Sequence, residues 1–352
     1  MYIKKGAEST IPPTFNMSGG QIYQCKADFD GGAVYLEDGY VEISGINTKI
    51  RSCESNYSGG AICIRKTGDI DPAFSMSGGT LCENYAVTEG GAVHLEGGQV
   101  TVSGGNINGN VALNGNGGGI SINSGSFVMP SGGNATISAN SALRPNAANT
   151  DDAGNGGGVY VTSQSGEVSV NLFSGSIFGN SSAMTGGGIG VDVSKVGTSA
   201  KVIVGESGEG PVVTGNVTLL QGGGLYVNGK AASIEINAGT IKENTTVGYV
   251  DNPDVMNADG MVTLNGGDVR SVNVVYEGNG GYLKGDADIK TSQQSVVTDT
   301  NNKLIVPAFV RNGYRLVRWN TRADGLSNKD YHDGDIVKIS SDLRLYAIWE
   351  LD

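Results

Sequence analysis

Apolar residues recur along most of this chain at a spacing of two, and one series of such runs follows pairs of glycines. The stretch GGAVYL, residues 31–36, returns as GGAICI from Gly59, GGAVHL from Gly90, GGGISI from Gly117, GGGVYV from Gly156, GGGIGV from Gly186 and GGGLYV from Gly222. The motifs stand roughly thirty residues apart, which is typical of a stacked repeat architecture. Because alternation at a spacing of two is typical of half-buried strands, the repeats predict an all-β fold.

Two further apolar series run in phase with the glycine pairs. In one, an apolar residue is followed three positions later by a corner residue, which is Cys25, Cys53, Asn84, Asn110, Asn140, Asn180, Asn216 or Asn244. The other is a two-spaced apolar pair, such as Val41/Ile43 and Phe127/Met129, earlier in each repeat. Each repeat is therefore predicted to hold three strands and three corners. Stacking by parallel pairing then gives a right-handed parallel β-helix of about eight three-strand coils.

The corner residues have a physical reason in this arrangement. Glycine pairs are expected where the backbone needs a positive φ or where neighbouring coils approach closely, since a β-carbon is unfavourable in both situations. Asn at the other corner is expected to take the left-handed conformation and to hydrogen-bond from coil to coil. The eighth coil is predicted to be degenerate, with Asp259, Gly260 and Met261 replacing the glycine motif and with Val262 and Leu264 pointing inward.

The glycine rhythm stops after about Asp268, and a different pattern begins. An alternating strand with an Asn-Gly-Gly turn is followed by LIVPAFVRNGYRLVRWNT and then by GDIVKISSDLRLYAIW. These segments predict a small β-rich domain, in which the simplest role of Tyr314, Trp319, Tyr346 and Trp349 is to anchor the core. The predicted organisation is an N-terminal segment or cap at 1–14, the parallel β-helix at 15–268 and a second module at 269–352.

The charge balance narrows the list of partners. A formal net charge of -12 argues against nucleic acid and anionic membrane surfaces, because both require basic patches on the protein. The four cysteines are too few and too local for a disulfide-dense scaffold. No apolar run approaches a membrane span, and MYIKKGAEST contains no segment that could serve as a signal peptide. We therefore expect no membrane insertion, and either an intracellular protein or an internal piece of a longer chain.

The outer face of the glycine-motif strands is where chemistry is expected, because β-helix enzymes place carboxylates and basic residues on one such face. The outward residues are predicted to be Tyr35, Cys63, His94, Ser121, Tyr160, Gly190, Tyr226 and Thr263. They include no carboxylate pair. Two positions further on, Glu37, Arg65 and Glu96 are expected to be neighbours in a salt-bridge ladder. Because His94 and His332 are far apart in sequence, no catalytic triad, metal site or cofactor is predicted.

The cysteines and the acidic insertions carry weaker signals. Cys25 and Cys53 are predicted to be two small buried thiols at one corner, and Cys63 is predicted to be exposed near His94, where an imidazole can increase thiol reactivity. The acidic insertions contain Asn149, Thr150, Asp151, Asp152, Asp251, Asp254 and Asp259. Calcium binding by these loops stays open, although neither has the ligand spacing of an EF-hand, and solvated loops are the simpler interpretation.

The second segment resembles a known family. From about Val272 to Glu350 it is similar to the Listeria-Bacteroides repeat, also called the internalin B-repeat. The matching residues are Val274, Tyr276, Asn279, Gly280, Gly281, Arg311, Gly313, Tyr314, Trp319, Asn320, Thr321, Asp324, Gly325, Asp342, Leu345, Tyr346, Ala347 and Trp349. Leu316 and Arg318 depart from the pattern, at the usual aromatic residue and the usual glycine. The resemblance implies a compact β-grasp-like module of bacterial surface proteins that acts as a stalk, a spacer or an adhesive repeat.

Residues 15–265 resemble the GGAI/FxxN repeats of chlamydial polymorphic outer-membrane proteins and related bacterial adhesin β-helices. The motifs GGAVYL, GGAICI and GGAVHL fit the first half of that repeat, and IFGN from Ile177 and IKEN from Ile241 fit the second half. The resemblance implies a β-helix of the surface-protein type.

Pattern and resemblance together predict a fragment of a non-enzymatic, extracellular bacterial cell-surface protein whose signal peptide and anchor lie outside the fragment. A rigid β-helical adhesin or binding scaffold would bind a glycan or protein of a host or bacterial surface through the outer sheet face. The predicted binding residues are Tyr35, His94, Tyr160 and Tyr226. Two alternatives stay open: a β-helical polysaccharide lyase or glycoside hydrolase that uses the charged residues of the same face, and a pure structural spacer.

Overall fold

The computed structural model describes residues 1–6, 8–144, 153–248 and 253–352. Every regular element among these residues is a β-strand, and so none of them forms a helix that could cross a membrane. The chain divides into two compact units. Unit 1 comprises Met1–Met261 with Asn265–Val269, and unit 2 comprises Val262–Leu264 with Arg270–Asp352.

Unit 1 is built from short strands that pair in parallel with the equivalent strand one repeat further along the chain. Four series of strands follow one another in each repeat, and we name them ladders A, B, C and D. Ladder A holds the strands that follow the glycine pairs, and ladders B and C hold the next two strands. Ladder D holds two-residue strands that the prediction of three strands per repeat omitted. The unit is therefore all-β, parallel and solenoid-like.

Ladder A contains Tyr2–Ile3, Val34–Leu36, Ile62–Arg65, the start of Val93–Asn108, the start of Ile120–Met129, Val159–Val161, Ile189–Asp192, Leu225–Asn228 and Val255–Asn257. Ladder B contains Thr14–Met17, Tyr40–Ile43, the start of Ala73–Cys82, the middle of Val93–Asn108, the end of Ile120–Met129, Glu167–Leu172, Ser199–Val204 and Ala232–Ile236. A further strand, Met261–Leu264, follows along the chain.

Ladder C contains Gln21–Tyr23, Lys49–Arg51, the end of Ala73–Cys82, the end of Val93–Asn108, Thr136–Ser138, Ser176–Phe178, Val212–Thr214, Thr240–Lys242 and Asp268–Val269. Ladder D contains Lys26–Ala27, Glu54–Ser55, Tyr85–Ala86, Val111–Ala112, Ser141–Ala142, Ser181–Ser182, Val217–Thr218 and Thr245–Thr246.

The alternating apolar residues of these strands fill the interior of unit 1. Val93 and Leu95 in ladder A, Val100 in ladder B and Ile107 in ladder C are all fully buried. Burial of such a side chain contributes about 1.5–3 kcal/mol. Because each repeat supplies the same inward positions, the short motif builds one continuous core by repetition.

The two glycines of each motif meet two different requirements. The first glycine has a positive φ in every motif, for example 70° at Gly31 and 65° at Gly90. The second glycine lies against the backbone of the next repeat. A β-carbon on Gly91 would stand 2.6 Å from the backbone nitrogen of Val111 and would collide with the carbonyl oxygen of Gly118. Positive φ and close approach, both expected at this corner, therefore fall on successive residues.

Buried asparagines form a hydrogen-bonded column at the corner between ladders C and D. Asn140 Oδ1 accepts the backbone N–H of Asn110 at 3.0 Å and the Nδ2 group of Asn110 at 2.9 Å. Asn140 Nδ2 donates to Asn180 Oδ1 at 3.0 Å and to the carbonyl oxygen of Ile107 at 2.9 Å. The column runs from the backbone N–H of Cys53 through Asn84, Asn110, Asn140, Asn180, Asn216 and Asn244 to Asp254. The side-chain amides are thereby satisfied inside the protein.

The left-handed conformation predicted for these asparagines is wrong. The positive φ falls one residue earlier, on Gln24, Ser52, Glu83, Gly109, Ala139, Gly179, Gly215 and Glu243. The buried asparagine has its amide committed to bonds between repeats, and the turn is made by a neighbour such as Glu83 or Ala139 that is exposed to solvent.

The last repeat of unit 1 is placed differently from the prediction. Val255–Asn257, and not the segment that begins at Asp259, pairs with Leu225–Asn228 in ladder A. The carbonyl oxygen of Asp254 accepts the backbone N–H of Leu225 at 2.8 Å. This register is held by backbone hydrogen bonds, so the last strand needs no glycine pair in front of it. The glycine motif therefore does not predict this strand.

Unit 2 has a mixed five-stranded sheet. Its order is Thr291–Val297, Ser271–Glu277, Leu343–Leu351, Tyr314–Asn320 and Asp330–Tyr331. The contact between Ser271–Glu277 and Leu343–Leu351 is parallel, and the other three are antiparallel. Two short antiparallel pairs complete the unit, and they join Tyr282–Leu283 to Phe309–Val310 and Asn302–Lys303 to Ile336–Val337.

An aromatic cluster lies in the core of unit 2. Trp319 is 2% exposed, and its ring meets Tyr276 and Phe309 edge to face at centroid distances of 5.0 and 5.6 Å. The other three predicted anchors are half-buried, and they are Tyr314, Tyr346 and Trp349. The prediction of core anchors is therefore correct for Trp319 and in part for Trp349, which packs against the cluster, while Tyr276 and Phe309 supply the other buried rings.

Candidate binding face of unit 1

The outward residues of ladder A form a single column, because neighbouring strands pair in register. We call it the outer column, and it runs through Tyr2, Tyr35, Cys63, His94, Ser121, Tyr160, Gly190, Tyr226 and Met256. Met256 occupies the position that the sequence assigned to Thr263. The structure thus brings the four predicted binding residues onto one face, with other residues between them.

Much of the outer column is covered, contrary to expectation. Cys63, His94 and Tyr160 are 0%, 1% and 5% exposed, whereas Tyr35 and Tyr226 are half-buried. Part of the cover comes from the corner in front of the glycine pair at Gly90. Glu89 lies over the column there, where its Oε2 atom accepts hydrogen bonds from Ser121 Oγ at 3.3 Å and from Asn123 Nδ2 at 2.7 Å. The prediction that His94 is a surface histidine is therefore wrong.

His94 lies between two carboxylates. Its Nδ1 atom is 3.6 Å from Glu89 Oε2, and its Nε2 atom is 3.3 Å from Glu96 Oε1. The Nδ1 atom is buried and has no hydrogen-bond partner among the described residues. Glu96 is the nearer of the two carboxylates to the imidazole.

Arg65 extends this charged cluster. Its guanidinium pairs with Glu96, and a second nitrogen lies 3.4 Å from Asp30 Oδ2. Glu37, the other predicted partner of Arg65, pairs instead with Lys4 at 3.1 Å and accepts the hydroxyl of Thr67. The predicted salt-bridge ladder is therefore correct for Glu96 and wrong for Glu37. The hydrogen bond from Thr67 is the main reason that the pKa of Glu37 is lowered.

The structure gathers carboxylates that the strand pattern did not reveal. Asp30, Glu89 and Glu96 surround Arg65 and His94, although the outer column itself contains no acidic residue. The missing members lie directly in front of glycine pairs, in a position that is polar in all seven motifs: Asp30, Ser58, Glu89, Asn116, Asn155, Thr185 and Gln221. This regularity is visible in the sequence, but an alternating strand pattern carries no information about corner residues.

The thiols behave as structural groups. Burial raises the pKa of the Cys63 thiol well above its usual range, so the reactive, exposed thiol predicted beside His94 is wrong. Burial likewise raises the pKa of Cys53 to about 11. Cys25 is partly exposed, so the predicted pair of buried thiols is correct for Cys53 alone.

A polar groove of about 300 Å³ lies beside the outer column in the middle repeats. It is lined by Thr88, Glu89, Asn114, Gly115, Asn116, Ala153, Tyr160, Thr162, Gln164, Asp192 and Ser194. These residues include carboxylates, amides, hydroxyls and one aromatic ring, and none of them is Lys or Arg. We call this site the ladder A groove.

The acidic insertions give no metal centre in the described part of the chain. There, no group of three or more His, Cys, Asp or Glu side chains could hold a metal ion. Asp254 closes the asparagine column, and Asp259 is exposed. The residues at 149–152 and Asp251 lie outside the described residues, so the prediction of solvated loops is not tested there.

We expect Glu96 to make the stability of unit 1 depend on acid pH. Hydrogen bonds from His94 and then Arg65 lower the pKa of Glu96 from 4.5 to about 2. A depressed carboxyl pKa stabilises the fold above pH 4.5, and this stabilisation is lost as the pH falls through about 2. Because Glu96 is about one-third exposed, solvent screening reduces the contribution to roughly 1–2 kcal/mol.

The measurement is urea unfolding of the wild type and Glu96→Gln, followed by circular dichroism at pH 7 and at pH 2. The variant should be less stable at pH 7, and the difference should shrink toward zero at pH 2. Glu54→Gln removes an exposed pair with Lys26 and should change stability by less than ~0.5 kcal/mol at pH 7. An equal loss for Glu96→Gln at both pH values would contradict the assignment.

Comparison with family models matches residues 273–348 to the Listeria-Bacteroides repeat domain. This confirms the resemblance predicted for the second segment. Comparison with curated proteins and with solved structures gives no match. The adhesin resemblance of the first segment therefore stays a prediction. Over residues 273–348 the chain is similar to a domain that occurs in bacterial surface proteins.

Proposed function

We propose that this protein is displayed outside a bacterial cell as a non-enzymatic binding scaffold. In this proposal unit 1 is a right-handed parallel β-helix of about eight coils, and unit 2 is a β-grasp-like stalk or spacer repeat. The observation that carries the proposal is the Listeria-Bacteroides repeat match over residues 273–348. The repeat match supports the location outside the cell. The geometry of unit 1 supports the binding role.

Two features of unit 1 support a scaffold. The continuous apolar core and the asparagine column give each repeat the same bonded environment, so side chains on the surface are held in fixed register. A rigid surface loses little conformational entropy when a ligand binds. The ladder A groove supports binding over a pure spacer, since a spacer needs no recessed polar site.

The location is tested by limited protease treatment of intact cells of the bacterium that encodes the chain. Detection uses an antibody against unit 1. We expect the antibody signal to disappear from intact cells while a cytoplasmic marker protein survives. Survival of the signal until the cells are lysed would contradict the proposal.

The binding role is tested on an array of glycans and extracellular matrix proteins. The triple variant Tyr35→Ala, Tyr160→Ala and Tyr226→Ala should lose retention, because these three rings stand on the outer face of ladder A. Tyr40→Ala, which removes an exposed ring from ladder B, is the matched control and should bind like the wild type. Equal retention of the triple variant and of Tyr40→Ala would show that the outer face of ladder A is not the binding surface.

The clustered carboxylates favour one second candidate, a polysaccharide lyase or glycoside hydrolase. Asp30, Glu89 and Glu96 lie close to Arg65 and His94, as an acid–base site would require. The lowered pKa of Glu96 argues against it, because a general acid needs a proton near neutral pH. Shortened glycan products that vanish in Glu89→Gln would establish this candidate.

A further inference from the structure

We propose that the ladder A groove binds an uncharged, hydroxyl-rich oligosaccharide. The inference rests on the proposed binding function and names the class of ligand. Three features of the groove support this ligand class: the polar groups that line it, their negative charge, and the hydrogen bonds between repeats that fix its rim.

The lining groups match the surface of a sugar chain. Asn114 and Gln164 are exposed and offer amide donors and acceptors, and Thr162 offers a hydroxyl. Sugar hydroxyls both donate and accept, so planar amides and hydroxyls can satisfy them in pairs. Tyr160 also lines the groove, but its side chain is only 5% exposed, so the ring supports the wall beneath these polar groups.

The charge of the groove selects among sugars. Glu89 and Asp192 are the charged residues among the described lining residues, and a cation beside them, Lys195, has its Nζ atom donating to the Gln164 carbonyl at 2.5 Å. Glu89 is fixed in place by Asn123 and lies beside the buried His94. A uronic acid, a sialic acid or a sulfated sugar would bring a like charge toward these carboxylates, which disfavours binding. The formal net charge of -12 adds to this repulsion.

The rim of the groove is held by side-chain hydrogen bonds between repeats. Asn116 Oδ1 accepts the backbone N–H of Asn155 at 2.9 Å and the Asn155 side-chain amide at 3.1 Å. Thr185 Oγ1 donates to Asn155 Oδ1 at 2.7 Å. Polar groups fixed before the ligand arrives reduce the entropic cost of binding, which suits weakly held ligands such as neutral sugars.

The test is isothermal titration of the intact chain with hexasaccharides. The neutral probes are gluco-, manno-, galacto- and xylo-oligosaccharides, and the anionic probes are oligogalacturonate and a heparin fragment. At least one neutral probe should bind, and the anionic probes should not. Tyr160→Ala should weaken neutral binding by about tenfold or more.

A second variant guards against misfolding, because Tyr160 is buried. Gln164 is exposed, so Gln164→Ala should fold normally and should still weaken binding severalfold. Asp192→Asn should leave neutral binding in place and admit oligogalacturonate if like-charge repulsion sets the specificity. Tyr40→Ala, on another ladder, is the matched control and should bind as the wild type does.

The outcomes separate this inference from the proposed function. Preference for an anionic probe, or neutral binding unchanged in Tyr160→Ala and Gln164→Ala, would overturn the inference. Retention of the chain on matrix proteins without any sugar binding would overturn it too, but would leave the binding scaffold standing. An absence of binding to every sugar and every protein would overturn both.

Discussion

Replacing Asn140 with alanine should lower the free energy of unfolding of unit 1 by on the order of 3–5 kcal/mol. The side chain of Asn140 is fully buried, and it accepts two hydrogen bonds from Asn110 and donates one each to Asn180 and Ile107. Alanine leaves the backbone N–H of Asn110 without its acceptor, removes one of the two hydrogen bonds of Asn110 Nδ2 and removes the side-chain donor to the Ile107 carbonyl. Each buried, unsatisfied group costs about 1–3 kcal/mol, which is why one amide has so large an effect.

The two units can be followed separately in this experiment. Trp319 and Trp349, the two tryptophans of the chain, both belong to unit 2. Circular dichroism should therefore show an earlier urea transition in Asn140→Ala while the tryptophan fluorescence transition stays in place. Asn106→Ala, which removes an exposed asparagine from ladder C, should change stability by less than ~0.5 kcal/mol. Equal effects of the two substitutions would contradict a structural role for the column.

Replacing Gly91 with alanine should be as damaging, with a loss of more than ~4 kcal/mol or no soluble protein. The added methyl group would collide with the carbonyl oxygen of Gly118 and would stand 2.6 Å from the backbone of Val111. Backbone atoms in the next repeat cannot swing aside as a flexible side chain can. The repeats would have to separate, which breaks ladder hydrogen bonds on both sides of the substitution.

Gly166→Ala is the control for this prediction, and it places a β-carbon in open space at a glycine with a positive φ, which Gly91 lacks. Gly166 has a φ of 68°, and nothing lies within 4 Å of the position of an added β-carbon. The control therefore measures the strain of the left-handed conformation alone, which is roughly 1–2 kcal/mol. Soluble yield and chemical unfolding of the two variants give the comparison. A Gly91→Ala protein as stable as Gly166→Ala would contradict the close approach of the repeats.

The repeat pattern predicted most of unit 1 because each inward position recurs with the same chemistry. Val93, Leu95 and their equivalents could be assigned from spacing alone, and so could the buried asparagines. The last strand could not be assigned in this way. Val255–Asn257 is held by backbone hydrogen bonds to Leu225–Asn228, and backbone groups leave no trace in a side-chain pattern.

The candidate site was harder to predict because it depends on what covers a strand. The spacing placed His94 and Tyr160 outward, and the structure agrees, but His94 is buried beside the corner residue Glu89, which lies over the column. A pattern of alternation reports which side of a strand a residue takes. It carries no information about a segment from another corner that lies against that side.

The central claim is that the protein binds its ligand without cleaving it. A retention experiment in which the mass of the recovered ligand is determined tests this claim most directly. The intact chain is incubated with glycans and matrix proteins, and each retained ligand is eluted and analysed by mass spectrometry. The proposed scaffold predicts retention that is lost in the Tyr35/Tyr160/Tyr226→Ala variant, with the ligand recovered at its original mass. Recovery of shortened or unsaturated sugar products, or no retention of any ligand, would contradict a non-enzymatic binding scaffold.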